Sequence, residues 1–404
     1  MTPLEGRRRL SVAGLFAGIG GIELGLRRAG HESELLCEID PGARRVLERQ
    51  FTGATAVEDV VMLDRLPEVD LVTAGFPCQD LSQAGGKDGI AGEKSSIVEH
   101  LFRLLDVPDS AKPPWVLIEN VSYMLRLDVG RAMGYLVDQL EARGYHWAYR
   151  IVDARAFGVP QRRQRVLLLA GRDEDPAGIL LAKDAGEPEG VDAIGPVHPE
   201  STYGFYWTEG RRGLGWTRDA IPTLKGGSRI GIPSPPAVWN PRTGSFGLPS
   251  LEDAERLQGF PRGWTRAADE VYSRPLRERW SLVGNAVCVP VAEWVGRRLG
   301  GSQPGRVDGK RPLTSSNRWP RAACGSQSGR FAVDVSMRPT QRRFIALETY
   351  LRDPLTPLSE RAAKGFLSRA REGKLRFGDG FLDDLECYIA DRSAETALPL
   401  PSAA

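Results

Sequence analysis

Three short stretches hold side chains suited to covalent and polar chemistry. GFPCQDLS (75–82) follows the apolar run VDLVTA (69–74), so Cys78 stands behind a proline at a strand end, with a constrained backbone and a partly exposed thiol. A thiolate nucleophile belongs in such a place. ENV (119–121) follows the run WVLI. A carboxyl at the C-terminal end of a buried strand is costly unless it binds something polar, which makes Glu119 a functional candidate. VPQRRQRVLLLA (159–170) puts Gln161, Arg163 and Arg165 on one side of an extended segment. They face either a polar ligand or a solvated edge.

A second set points to a nucleotide. FAGIGG (16–21) lies between a strand and a helix, where glycines permit a tight turn and let a ligand approach the backbone at a helix N-terminus. Such a turn is often only a turn, and GxGxxG is absent. The next strand ends in Cys37-Glu38-Ile39-Asp40, and an acid at the tip of the second strand typically accepts hydrogen bonds from ribose hydroxyls. Turn and acid together suggest an adenosine-containing ligand. Asp59, after another short strand, either holds an adenine amino group or caps a helix. Cys37 and Cys288 read as small buried core residues.

The elements that position these groups alternate over residues 10–170. Strands are expected at Leu10–Leu15, Glu34–Glu38, Val69–Ala74, Trp115–Glu119 and Arg165–Ala170, with helices at Gly20–Ala29 and Pro41–Phe51. The pattern implies βαβ units: an α/β fold with a doubly wound, mostly parallel, Rossmann-like sheet. Residues 171–247 turn Gly-, Pro-, Trp- and Tyr-rich without periodicity, as a loop-rich β insert would. Helices are expected again at Ser250–Leu257 and Ala286–Leu299. Residues 301–343 carry nine cations against two acids and read as a basic linker, with a DNA-touching arm as the alternative. Phe344–Leu351, Glu360–Arg371 and Phe381–Ala390 look like short amphipathic helices. The expected divisions are 1–170, 171–247, 248–300, 301–343 and a small helical C-terminal extension, 344–404.

Composition sets the outer bounds. A chain of 404 residues suggests two to three domains. Hydrophobic residues at 41% and charged ones at 26% describe an ordinary globular chain rather than a disordered or membrane-embedded one. The net charge of +2 supplies no global basic field. Arginine nonetheless dominates the cations, which suits phosphate and guanine edges or reflects a coding bias. Five cysteines without a CxxC spacing exclude a disulfide scaffold or zinc module and fit a reducing cytoplasm. Arg7-Arg8-Arg9 before Leu10–Ile22 mimics a signal peptide, but a strand and turn running into a helix with Glu23 inside it explains the stretch better. No apolar run approaches the ~18 residues a membrane span needs.

FAGIGG, CEID, PCQ, ENV, QRRQR, RLQGFP (256–261) and GNAV (284–287) follow one another in an order that resembles the cytosine-C5 DNA methyltransferase family, of bacterial or phage type, over about residues 10–300. The resemblance implies S-adenosylmethionine as methyl donor and no metal. Phe16, Ala17, Gly18, Ile19, Gly20, Gly21, Glu38, Ile39, Asp59, Val60, Pro77, Asn285 and Val287 would line its site. It implies Cys78 as nucleophile, Glu119 on the cytosine N3 and amino edge, and Arg163 and Arg165 on the O2 side and neighbouring phosphate. The 171–247 insert would be the target-recognition region, with Thr223-Leu224, the 226–229 run and Arg211, Arg212, Arg218, Arg229 and Arg242 as candidates. Gly247, Ser250 and Asp253 depart from the family's usual Arg, Thr and Glu. Double-stranded DNA is the expected partner, a cognate restriction endonuclease a functional counterpart, and a cytoplasmic monomer without a membrane the expected form. An RNA cytosine methyltransferase, a small-molecule methyltransferase and a non-catalytic DNA-binding relative are the alternatives. The large insert and the retained Cys78, Glu119 and Arg165 favour the DNA enzyme.

Overall fold

The apolar run Val12–Leu15 is buried on both faces, as a central strand of a covered sheet must be. The computed structural model describes residues 8–76, 97–188, 196–209, 213–227, 235–301, 305–313, 318–373 and 375–397. Strands β1 (Ser11–Leu15), β2 (Glu32–Cys37), β3 (Thr55–Val57), β4 (Leu71–Ala74) and β5 (Trp115–Val121) run parallel in the spatial order β5-β4-β1-β2-β3. Helices α1 (Gly21–Arg28), α2 (Pro41–Gln50), α3 (Ile97–Leu105) and α4 (Arg131–Ala142) connect or flank them. Because strand side chains alternate, Ala13, Val72, Val116 and Ile118 enter one core with α3 and α4. Val12, Leu71, Trp115 and Leu117 enter the opposite core with Ile22 and Leu26 of α1.

Direction then reverses. After β6 (His146–Asp153) and the short β7 (Gln161–Arg162), β8 (Gln164–Gly171) inserts between β5 and β6, antiparallel to both. The expected α/β class is present, but the sheet is mixed and only its first half is parallel. VLLLA (166–170) is apolar throughout because both faces of β8 are covered there, and that pattern reports burial rather than strand direction.

After α5 (Pro176–Leu180), β9 (Tyr203–Phe205), β10 (Thr217–Arg218), β12 (Ala237–Asn240) and β13 (Ser245–Leu248) build a second sheet, while β11 (Ile221–Pro222) pairs with β7. The chain returns through α6 (Leu251–Leu257), α7 (Pro275–Asn285) and α8 (Val289–Leu299). The helix expected from Ala286 begins instead at Val289, with Pro290 in its first turn, where a missing N–H costs nothing. Asn285 closes α7, a helix the apolar spacing does not announce.

The stretch 301–343, expected as a linker, contributes β14 (Arg311–Pro312), β15 (Ala322–Ser326) and β16 (Gly329–Ala332). β15 pairs with β6 and carries the first sheet to ten strands. Several of its cations have internal partners: Arg330 with Glu141 at 2.7 Å, Arg321 with Glu187 at 3.2 Å and Arg342 with Glu293 at 3.7 Å. Of the helix expected over Phe344–Leu351 only α9 (Leu347–Tyr350) forms. β17 (Thr356–Pro357) joins the second sheet beside β13, and α10 (Glu360–Glu372) and α11 (Phe381–Ala397) follow. No helix among the described residues is long and apolar enough to cross a membrane.

Candidate active site

The site forms where β1, β2, β4 and β5 end, the edge at which open α/β sheets bind ligands. The glycine-rich turn leaves β1 through Phe16, whose φ of 56° is an unfavourable left-handed conformation for a residue with a Cβ. Its ring meets Phe76 edge-on at 6.0 Å, which helps hold that turn. Gly21 opens α1 against the loop before α8. A Cβ there would lie 2.3 Å from the Val287 carbonyl oxygen, so only glycine fits. The Trp264 indole N–H donates to the Ile19 carbonyl oxygen at 2.8 Å and pins the turn from the other side.

Glu38 receives the Gly18 N–H on Oε2 at 2.7 Å and the Asp40 N–H on Oε1 at 2.9 Å. Burial pushes its carboxyl above the ordinary range, and these two donors act against that. Each oxygen keeps a free lone pair for a ligand hydroxyl. Asp59 accepts the Val61 N–H at 2.9 Å, so it does cap a short helical turn. It also lines a cavity of ≈ 430 Å³ together with Phe16, Ala17, Gly18, Ile19, Glu38, Ile39, Val60, Asn285 and Val287. Ile39 is 65% exposed at its mouth. Backbone amides, a ribose-type acid and apolar walls suit a nucleoside. Tyr272, which hydrogen-bonds Asp40, and Glu278, Ser281 and Leu282 also line this space and were not expected. They sit on or just before α7, a helix whose sequence carries no clear apolar stripe.

The same cavity reaches Glu119. Glu119 is buried, and burial raises its carboxyl pKa against the opposing pull of Arg165 and then Arg163. The β5–β8 register sets Arg165 opposite Val121, diagonal to Glu119, and brings Arg165 Nε to 3.1 Å from Glu119 Oε1. The contact is close in distance but poorly aligned, and this oxygen makes no good hydrogen bond. The neighbouring Asn120 turns the other way: its Nδ2 donates to the Phe76 carbonyl oxygen at 3.0 Å, and its Oδ1 accepts the Val121 N–H at 2.8 Å. ENV therefore supplies both a buried acid and a tie to the chain leading into PCQ.

The polar residues of QRRQR divide. Arg165 lies against Glu119, whereas Arg163 turns to main-chain carbonyls. Its guanidinium is buried and donates to the carbonyls of Leu224 (3.0 Å), Gly284 (3.2 Å) and Ala286 (2.6 Å). Gln161 is buried as well, donating to the Leu257 carbonyl at 2.8 Å and accepting the Leu224 N–H at 3.0 Å. Gln258 of RLQGFP donates to the Val283 carbonyl at 2.7 Å. These three side chains lace Thr223-Leu224, RLQGFP and GNAV together. In this arrangement Arg163 braces these segments through their main-chain carbonyls.

Pro77, Cys78, Arg211, Arg212 and Arg229 lie outside the described residues. Arg218 is exposed, and Arg242 is held by Glu348 at 2.6 Å. Cys37 and Cys288 are buried, with thiols pushed up to about 12 chiefly by burial, so neither supplies a thiolate near neutral pH. The three departures from the family pattern all lie against one segment, residues 352–355. Ser250 Oγ donates to Asp353 at 2.6 Å, Asp253 accepts the N–H groups of Arg352 and Asp353, and Gly247 lies against Leu355.

Comparison with known proteins agrees with this geometry. The model of the family described as C-5 cytosine-specific DNA methylase matches residues 10–190. The chain is 49% identical over 382 residues to the type II methyltransferase M2.BsuMI of Bacillus subtilis (strain 168), covering 93% of this chain and 97% of that one. It is 30% identical to the type II methyltransferase M.NlaX of Neisseria lactamica, over 70% of this chain and 94% of the relative. The crystal structure of S. pombe Dnmt2 methyltransferase superimposes with a TM-score of 0.53 at 18% identity, over 72% of this chain and 98% of that one, and shares the fold. A relative this similar along nearly its full length leaves no ambiguity of kind: the chain belongs to the C-5 cytosine-specific DNA methylases and is a DNA (cytosine-5-)-methyltransferase.

Proposed function

We propose that this methyltransferase acts through Cys78 as nucleophile and Glu119 as the group that holds the target cytosine, with the donor in the pocket at the strand tips. The observation that carries the proposal is the continuity of one cavity from the Phe16–Ile19 turn and Glu38 to the buried Glu119. The family is S-adenosylmethionine-dependent, and the lining fits that donor: Glu38 for the ribose, Ile39 for the adenine face, Asp59 for its amino group, and Asn285 and Val287 closing the far wall. When bound, the donor supplies an electrophilic sulfonium methyl.

The protein's own groups do the rest. Cytosine C5 is a poor nucleophile, and addition of the Cys78 thiolate to C6 moves an electron pair towards C5 and N3. Glu119, whose pKa burial has raised, hydrogen-bonds or protonates N3 and stabilises that charge, while Arg165 orients Glu119. Once C5 carries the methyl, loss of its proton returns the electrons and expels the thiolate. The base must leave the helix stack to reach this depth, at a cost of a few kcal/mol. Residues 171–247 would read the duplex beside it. The chain would act as a cytoplasmic monomer, with a restriction endonuclease of the same specificity as its functional counterpart.

With S-adenosylmethionine present, a duplex containing 5-fluorocytosine tests this, because after methyl transfer C5 bears fluorine and no proton to lose, so the thiolate is not expelled and the adduct persists. Wild type should form a denaturation-resistant complex and Cys78→Ala should not. Methylation of duplex DNA by Cys78→Ala, or transfer to RNA and not to DNA, would overturn the reading.

A further inference from the structure

The second sheet is sandwiched. Val238 of β12 packs inward with Leu224, Leu251 and Leu347 against the methyltransferase body. Its neighbours Ala237 and Trp239 point the opposite way, into a core shared with α10 and α11. There the rings of Phe205 and Phe366 lie 5.2 Å apart, as do those of Trp239 and Phe381. The Trp239 indole N–H donates to Asp384 at 2.9 Å. β17 completes the sheet through Gly247↔Pro357 and Leu248↔Thr356, at a place where a Cβ on Gly247 would come 2.6 Å from Leu355 Cβ. Neither half of this core could be buried without the other.

Polar contacts carry the connection to the cavity. Arg369 of α10 donates from Nε to the Glu209 carbonyl at 2.8 Å and from Nη2 to the Trp207 carbonyl at 2.9 Å. The Glu209 carboxylate pairs with Lys225, whose ammonium lies 3.7 Å from the centre of the Tyr206 ring. The next residue, Gly226, abuts the side chain of Asn285, which lines the cavity. M.NlaX aligns over 94% of its own length yet only 70% of this chain, so nearly a third of this chain lies outside that alignment.

We propose that the DNA-reading unit is discontinuous: residues 344–397 form its second half, and Arg369 is a positioning residue that holds the 206–209 turn, and through it Lys225, beside the active site. This rests on the reading of 171–247 as the recognition region. The test uses full-length Arg369→Met, Arg369→Lys and Asp384→Ala with unmethylated plasmid DNA and tritium-labelled S-adenosylmethionine. Steady-state rates, donor binding and nanopore mapping of the methylated sites are the readouts. Arg369→Met should raise KM for DNA roughly tenfold and spread methylation to near-cognate sites, since two charge-assisted hydrogen bonds are lost. Donor affinity and kcat should stay near wild type, with Arg369→Lys partly restored and Asp384→Ala shifted in the same direction. Unchanged KM and unchanged sites in both Arg369→Met and Asp384→Ala would overturn the proposal. So would a parallel loss of donor affinity, kcat and DNA binding, which marks general destabilisation. Wild type inert on all DNA would instead overturn the functional reading beneath it, and this inference with it.

Discussion

The side-chain amide of Asn120 donates to the main-chain oxygen of Phe76 at 3.0 Å, joining the end of β5 to the chain two residues before Cys78. β4 and β5 are parallel neighbours, so the bond continues their pairing past the strand tips, next to Glu119. Asn120 is almost fully buried, and both ends of its amide are used. It fixes the chain that leads into PCQ.

Asn120→Ala would leave the Phe76 oxygen without its partner, a loss of about 1–3 kcal/mol for a buried acceptor. The expected result is a kcat lower by roughly ten- to a hundredfold, with the donor dissociation constant unchanged. Single-turnover methylation together with donor titration measures both. A fall in donor affinity alone would contradict the positioning role.

Glu119→Gln keeps the shape of the side chain but removes the acid. If Glu119 stabilises charge at N3, the rate of the chemical step should drop roughly 10²–10⁴-fold. Trapping by 5-fluorocytosine DNA should slow with it, while binding of unmodified duplex persists. A variant that forms the adduct at the wild-type rate would remove Glu119 from the mechanism.

Gly21→Ala tests the closure of the donor pocket. Its Cβ would meet the Val287 carbonyl at 2.3 Å, forcing α1 and the loop before α8 apart. An overpacked contact of this kind costs about 1–3 kcal/mol. Both the melting temperature and donor affinity should fall, read by calorimetry with and without S-adenosylmethionine. An unchanged melting temperature would show that the loop yields freely.

Glu23 gives a pH signature separate from catalysis. It is buried beneath the turn, accepts the Thr73 hydroxyl at 3.0 Å on Oε1, and has no partner on Oε2. Burial is the main cause of a carboxyl pKa pushed up to about 7. Because the folded chain holds this proton more tightly than the unfolded one, its stabilising contribution is complete below the ordinary carboxylate range. It is lost as pH rises through about 7. Relative to Glu23→Gln, wild type should lose about 3 kcal/mol between pH 4.5 and 8, the shift multiplied by 1.36 kcal/mol per unit. Denaturant unfolding of the two proteins at pH 5 and pH 8 measures the difference, and parallel curves would refute it.

Much of the site was legible without coordinates because strand, turn and acid follow one another locally. The FAGIGG turn, Glu38 and Glu119 stand out as a glycine-rich strand-to-helix turn, an acid at a strand tip and a carboxyl ending a buried strand, and one cavity is lined by all three. Asp59 was left between two roles, and it fills the capping one while also lining the pocket. Local pattern could not assign partners that lie far along the chain. Gln161 and Arg163 read from the sequence as facing either a polar ligand or a solvated edge, and Gln258 only as part of RLQGFP. Their partners at Leu224, Val283, Gly284 and Ala286 turn them into braces.

The sequence by itself determined the family, through the order of its motifs, and the parallel half of the sheet, since burial on both faces and short βα turns are written in neighbouring residues. Only the tertiary structure decided that β8 runs antiparallel, that 322–332 extend the first sheet beside β6, and that 344–397 complete the second. Strand direction and sheet membership are set by main-chain hydrogen bonds between distant segments, and those bonds carry no side-chain signature. The aromatic residues of 203–246 and 366–388 each look surplus on their own stretch and become one core only when the two stretches meet.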